Sequence, residues 1–306
     1  MSSTNTTGTA PSDIAGALAY AEERLAASDA YYGHGTDNAW DEAVQLVLAA
    51  TEMPADAGEE VLPKPLSANA WERVQAMLYQ RIEQRVPLPY ITGVAWFAGL
   101  SFACDGRAII PRSPIAELVL NGFAPWYAGP SPRRLLDLCC GGGCIGLAAA
   151  HYHPQLAVDL AELDSDALEL ARENIARLQL EDRARPVQSD LFDALRGQTY
   201  DIILSNPPYV DAQDLASMPA EYHREPELAL GSGQDGLDLT RRILSQAHHH
   251  LEPTGLLIVE VGNSWPTLEA SYPELPFTWL EFERGGHGVF ALSAAELQDY
   301  HARVGG

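Results

Sequence analysis

Residues 134–152 read RLLDLCCGGGCIGLAAAHY. A short apolar run, RLLDLC, passes into glycines and then straight into the helix-forming stretch CIGLAAAHY. Strand, tight glycine turn and helix in that order predict one βα unit, and what repeats around it decides the fold. Downstream, LAVDLAEL (156–163), ARPVQ (184–188), YDIILS (200–205) and GLLIVEVG (255–262) predict strands. DALELARENIARL (166–178) predicts a helix with Leu168, Ile175 and Leu178 on one face, and TRRILSQAHHHL (240–251) predicts another. FTWLEFE (277–283) and GVFALS (288–293), separated by RGGH, predict a terminal antiparallel pair. The alternation implies an α/β fold: a Rossmann-like, mostly parallel seven-stranded sheet with a terminal antiparallel strand, covered by helices on both faces.

Upstream the pattern changes. Residues 13–27 (Ile14, Leu18, Leu25), 37–50 (Trp40, Val44, Val47, Leu48) and 68–85 (Trp71, Val74, Leu78, Ile82) repeat apolar residues at helical spacing, with Thr36 and Ser67 as candidate N-caps. PADAGEEVLPKP (54–65) predicts a loop. Residues 1–88 therefore predict a small helical domain, a candidate for docking a substrate, residues 89–111 a β-hairpin linker, and residues 112–306 the large α/β domain. In the hairpin, Gly99 and Asp105–Gly106 are turn signals; Ser113–Pro114 opens a helix with Glu117 in its first turn. The start, MSSTNTTGTAPS, is polar and predicts a frayed tail without a secretion signal.

The 306 residues carry 42 acidic and 19 basic side chains, a net charge of −23. Such a surface repels phosphate backbones, so direct nucleic-acid binding is not expected, whereas a basic protein would be attracted. No apolar run reaches membrane-spanning length. Cys104, Cys139, Cys140 and Cys144 have no second Cys or His pair at zinc-like spacing, so no metal is expected and they read as packing residues of a cytoplasmic protein.

Two segments fit G-x-G-x-x-G: GGGCIG at 141–146 and GSGQDG at 231–236. Only the first follows a strand, opens a helix and has an acid, Glu162, about 20 residues on, where a carboxylate can take two ribose hydroxyls. A dinucleotide or S-adenosylmethionine could use that loop; Asp137 at the strand end suits a cation and an amino group and would repel a pyrophosphate. Asp190 offers a carboxylate to an adenine amino group, or else caps the following LFDAL turn.

DIILSNPPYV (201–210) delivers Asn206 to the same sheet edge. An amide nitrogen is a poor nucleophile because its lone pair is delocalised. Its two N–H groups must be held by acceptors for that lone pair to be redirected. The Asn206 side-chain oxygen and the Pro207 carbonyl can be those acceptors. Pro207 and Pro208 stiffen the loop and bring no competing N–H, and Tyr209 can cover one side of the flat group.

These residues resemble the class I S-adenosylmethionine-dependent methyltransferases acting on planar exocyclic nitrogens, and within them the protein-(glutamine-N5) methyltransferases. The resemblance covers nearly the whole chain. WFAGLSF, PRSPIAEL and NPPYVDAQDL with EPELAL look most like the branch that modifies a glutamine of large-subunit ribosomal protein L-three. It implies S-adenosylmethionine as cofactor, with Asp137, Gly141 and Gly143 around the methionine moiety, Glu162 on the ribose and Asp190 with Leu191 at the adenine. It also implies that Asn206 and Pro207 hold the glutamine amide beside the cofactor, with Pro208 and Tyr209 packed nearby. Cys140 and Gly142 stand where the family commonly shows Thr and Ser, and Glu162 where many members have Asp. Three other enzymes compete. The branch methylating the Gly-Gly-Gln glutamine of peptide chain release factors shares the chemistry. An adenine-N6 DNA methyltransferase would need a basic surface. A nicotinamide dehydrogenase would leave the Asn-Pro-Pro-Tyr segment without a purpose. A ribosome-assembly module without turnover would not need the acceptor loop.

Overall fold

The computed structural model describes residues 10–304; most of the expected frayed tail, residues 1–9, lies outside them. The chain divides into two compact units at Gly93–Val94.

The first unit is helical: α1 (Ile14–Ala26), α2 (Ala39–Ala50), α3 (Ala68–Ile82) and α4 (Leu88–Thr92). Asp13 caps α1 by accepting from the Gly16 N–H, and Ser67 caps α3 by accepting from Ala70. Asn38, not Thr36, caps α2, accepting from the Asp41 N–H at 2.9 Å, because it sits directly before the first helical turn. Thr36 instead donates to the Glu42 carboxylate at 3.0 Å. Val47 and Leu48 are buried as expected, with Ala43, Leu46 and Ala50 beside them and Val44 packed against the core, whereas Trp40 is 48% exposed rather than inside. The small alanines carry the start of this face, which a count of large residues misses. Leu18, Leu25, Val74 and Leu78 complete this core. Arg81 of α3 forms a fully buried ion pair with Glu42 of α2.

The second unit starts with the hairpin β1 (Val94–Phe97) and β2 (Leu100–Ala103). Its turn residues, Ala98 and Gly99, both take left-handed backbone (φ 49° and 79°), the geometry that matches strand twist in a two-residue hairpin. Phe97 and Phe102 are buried with Ile115, Leu118 and Phe123, so the hairpin packs as part of this unit. There follow α5 (Ile115–Leu120), β3 (Arg134–Leu138), α6 (Cys144–Tyr152), β4 (Ala157–Glu162), α7 (Ser165–Leu178), β5 (Ala184–Gln188), β6 (Tyr200–Ser205), α8 (Ala212–Ser217) and α9 (Asp238–Gln246). The chain continues through β7 (Leu251–Glu260), α10 (Trp265–Ser271), β8 (Thr278–Trp279), β9 (Val289–Ser293) and α11 (Ala294–Val304).

These strands form a seven-stranded sheet in the order β5-β4-β3-β6-β7-β9-β8. The five strands from β5 to β7 are parallel, and β9 runs antiparallel to both β7 and β8. Alternate residues feed opposite cores. Leu135, Ile202, Leu204 and Ile258 pack with Ile145, Leu147 and Ile175 of α6 and α7. Leu136, Leu138, Ile203 and Leu257 pack with Ile243, Leu268 and Leu297 of α9, α10 and α11. Each such side chain contributes roughly 1.5–3 kcal/mol on burial. The order reverses between β3 and β6, and that is where open α/β sheets form a ligand crevice at the carboxyl ends of the strands.

Among the described residues no helix is long and apolar enough to cross a membrane.

Candidate active site

β3, β4 and β6 end together, and each end carries a predicted site residue. Asp137, one residue before the end of β3, is 1% exposed. Its Oδ2 accepts from the Gly146 N–H at 2.7 Å, fixing the first turn of α6, while its Oδ1 has no partner. Burial pushes this carboxyl up to about 7, against the opposing pull of the Gly146 N–H. Gly141 and Gly143 both take left-handed backbone (φ 53° and 83°), which favours glycine. Gly143 is the N-cap of α6.

Glu162 ends β4 and organises the loop opposite. Its Oε2 accepts from the Gly141 N–H at 2.8 Å, and its Oε1 from Leu163 at 2.8 Å and Asp164 at 3.0 Å. Burial holds its pKa above the usual range, and the three N–H groups pull it back. Two carboxylate oxygens offer about four acceptor directions, so three bonds leave one direction open. Asp190 does not cap the following turn through its side chain; that turn has no side-chain cap, and Ser189 Oγ braces it by accepting from the Ala194 N–H at 3.0 Å. Asp190 is paired instead with Arg242 of α9, Nη2 to Oδ1 at 2.8 Å.

Gly141, Glu162, Asp190, Leu191, Asn206 and Pro208 line one cavity of about 170 Å³. Asn206, Pro207 and Tyr209 line a second, of about 300 Å³, together with Arg112 and Glu260. Asn206 is the predicted site residue common to both, and its buried Oδ1 has no hydrogen-bond partner. Leaving such an oxygen unpaired costs about 1–3 kcal/mol, a cost a ligand donor would relieve. Asp137 and Gly143 line neither cavity; they stand behind the glycine loop and shape it.

Tyr209 is held at three points. Its hydroxyl donates to Glu260 at 2.8 Å, its carbonyl accepts from Ser264 Oγ at 3.0 Å, and its ring fills the space where Gly262 would carry a Cβ. The second glycine motif explains itself here. A Cβ on Gly236 would run into the Tyr209 carbonyl, so GSGQDG lets one backbone pass close to another. Sequence reasoning missed Glu260, Arg242 and the buried Glu225, which accepts from Arg112 Nη1 at 2.8 Å and from the Ile110 N–H at 2.9 Å. An acid inside the apolar run LLIVEV was the available signal for Glu260.

All four cysteines border a small space of about 30 Å³ beside the loop. Burial pushes the Cys104 thiol up to about 12 and raises the other three as well, so the thiols stay protonated. Among the described residues, no group of three or more His, Cys, Asp or Glu is arranged to hold a metal ion.

Residues 120–221 match the family described as Methyltransferase small domain. A ribosomal protein uL3 glutamine methyltransferase of Francisella tularensis subsp. tularensis is 48% identical over 277 residues, 90% of this chain and 88% of that protein. One of Xanthomonas campestris pv. campestris is 47% identical over 287 residues, 94% and 93% of the two chains. The solved hMettl16 catalytic domain, in complex with MAT2A 3'UTR hairpin 6, superposes with a TM-score of 0.51 at 17% identity, covering 80% of this chain and 90% of that one. That likeness is one of fold.

Proposed function

Because the chain belongs to the ribosomal protein uL3 glutamine methyltransferases, we propose that it transfers a methyl group from S-adenosylmethionine to the side-chain amide nitrogen of a glutamine in ribosomal protein uL3. The observation that carries this reading is Asn206, a residue that lines both adjoining cavities and whose buried side-chain oxygen has no partner.

The residues fit the cofactor. The smaller cavity is lined by Glu162, Asp164 and Asp190 against Arg107 and Arg242, a net negative balance that favours a cationic nucleoside over a pyrophosphate. Glu162 has one acceptor direction left, so it would take one ribose hydroxyl rather than both; Asp190 and Leu191 would border the adenine, and the Gly141–Gly143 loop the methionine moiety. Asp137 acts there through Gly146, which its carboxylate holds in place. S-adenosylmethionine supplies an electrophilic methyl group on a sulfonium.

The chain's own task is to present the acceptor. Asn206 Oδ1 and the Pro207 carbonyl each accept one N–H of the substrate amide, fixing its plane and turning the nitrogen lone pair toward the methyl donor. Pro207 and Pro208 keep those acceptors in place at little entropic cost. Tyr209 covers one side of the amide. The nitrogen becomes acidic as the new C–N bond forms, so its proton leaves late and no strong base is required. The helical unit before Gly93 is the proposed docking module for the protein substrate.

Replacing Asn206 by Ala should lower methyl transfer by roughly 10²–10³-fold, the usual effect of deleting one preorganised hydrogen-bonding partner. Cofactor affinity should stay within a few-fold. Labelled S-adenosylmethionine offered with uL3, release factor and DNA in separate reactions, followed by mass spectrometry, reads both substrate and site. Label on the release factor alone would sink the substrate assignment, and an Asn206→Ala rate close to the original would sink the acceptor role.

A further inference from the structure

Glu260 is a buried acid for which the proposed chemistry has found no use. It is the last residue of β7 and is 5% exposed. Ser205 and Val259 are partners in the parallel β6–β7 register, so Asn206 and Glu260 leave neighbouring strand ends at the same level. Both line the larger cavity.

Each Glu260 oxygen is engaged by a hydroxyl. Tyr209 Oη donates to Oε1 at 2.8 Å and Ser113 Oγ donates to Oε2 at 2.6 Å. Ser113 is itself anchored, because its Oγ accepts from the Ile115 N–H at 3.2 Å where α5 begins. The carboxylate thus bridges the segment before α5 to the tyrosine of the acceptor loop. Burying a carboxylate is expensive, and an apolar residue would end this strand at lower cost. Burial drives the Glu260 pKa up, while Ser113, Tyr209 and Arg112 act against it.

We propose that Glu260 is a positioning residue: the Ser113–Glu260–Tyr209 bridge fixes the Tyr209 ring, and through it the loop that holds the substrate amide. It rests on the methyl-transfer reading above. The bridge needs an acceptor at both ends. A protonated Glu260 turns one oxygen into a donor, and a hydroxyl loses its acceptor. Transfer therefore falls on the acid side as Glu260 takes up its proton. The titratable and charged groups around it are Tyr209 and Arg112, the latter paired with Glu225, and Tyr222, Asp214 and His287 lining the same cavity.

The test is a double-mutant cycle on the full chain, with kcat for uL3 methylation and calorimetric binding of S-adenosylmethionine measured side by side. Glu260→Ala and Tyr209→Phe should each lower kcat by about 10²-fold, the scale of an ångström-sized misplacement, and the double variant should be no worse than either single one. Cofactor affinity should hold within about twofold of wild type, the few-fold tolerance of a site left intact. Glu260→Gln should recover part of the rate and lose the acid limb of the pH profile. Additive losses, an unchanged acid limb in Glu260→Gln, or parallel loss of cofactor affinity would overturn the bridge. If Glu260→Ala does not fold, Ser113→Ala against Tyr209→Phe carries the same cycle. A wild-type protein that binds S-adenosylmethionine but methylates neither uL3 nor release factor would overturn the functional reading instead.

Discussion

At the scale of single residues, two carboxylates beside the site, Asp137 and Glu260, are placed where water is scarce. Asp137 is the extreme case, with one oxygen on the Gly146 N–H and the other without a partner. Its folded pKa of about 7 lies above the ordinary aspartate value near 3.9. The folded chain therefore holds this proton more tightly than the unfolded chain. The stability it contributes is full below about pH 4 and is lost as pH rises through about 7. Asp137→Asn keeps an acceptor for Gly146 and removes the titration. Denaturant melts of the ligand-free protein from pH 4 to pH 8 should show wild type losing stability relative to Asp137→Asn. The difference should approach about 1.4 kcal/mol per pH unit at its steepest, the linkage value for one proton. Parallel curves would place the charge of Asp137 in a more solvated setting than its burial indicates.

At the scale of elements, α2 and α3 are joined by a pair that no apolar pattern requires. Arg81 is 1% exposed and Glu42 2%, and the Arg81 guanidinium also donates to the Tyr31 carbonyl at 2.7 Å. Removing one partner leaves a buried charge unpaired, a loss of about 3–5 kcal/mol, whereas replacing both with well-packed apolar residues is far milder. Arg81→Met should therefore lower the melting temperature sharply, and Arg81→Met with Glu42→Met should recover much of it. A single variant as stable as wild type would show that the pair carries little. The same elements mark how far the sequence can be read. Buried strands and the helices between them were legible because alternate residues feed two cores, as Leu135 and Leu136 do. The helices α4, α8, α10 and α11 were not; α4 falls inside the expected β-hairpin linker (89–111) and belongs to the helical unit, so the hairpin begins only at Val94. AQDLAS in α8 has no buried residue at all, so there is no stripe to find. Glu162, Asp190 and Asn206 were legible as residue types at strand ends. Arg242 beside Asp190, and Gly236 beneath Tyr209, were not, because both depend on close approaches between segments distant in sequence.

At the scale of the whole molecule, the governing quantity is the charge of −23. It contributes nothing to the choice of fold, but it biases which surfaces the chain meets. Ribosomal proteins are strongly basic, since they bind a polyphosphate, so an acidic enzyme attracts one that is still free of RNA. Complementary potentials of this kind act mainly on the rate of encounter. The Debye length falls from about 10 Å at 0.1 M salt to about 3 Å at 1 M, so the attraction is switched off within an accessible range. Raising salt from 0.05 to 0.5 M should therefore raise KM for uL3 by at least about tenfold, as expected for electrostatically steered association. Both kcat at saturating uL3 and the affinity for S-adenosylmethionine should change little, because the contacts proposed for them lie inside the cavities, where salt screens much less. A KM for uL3 indifferent to salt would mean that recognition rests on shape and apolar contact alone. The exposed Trp40 and Tyr79 of the helical unit would then be the first side chains to replace.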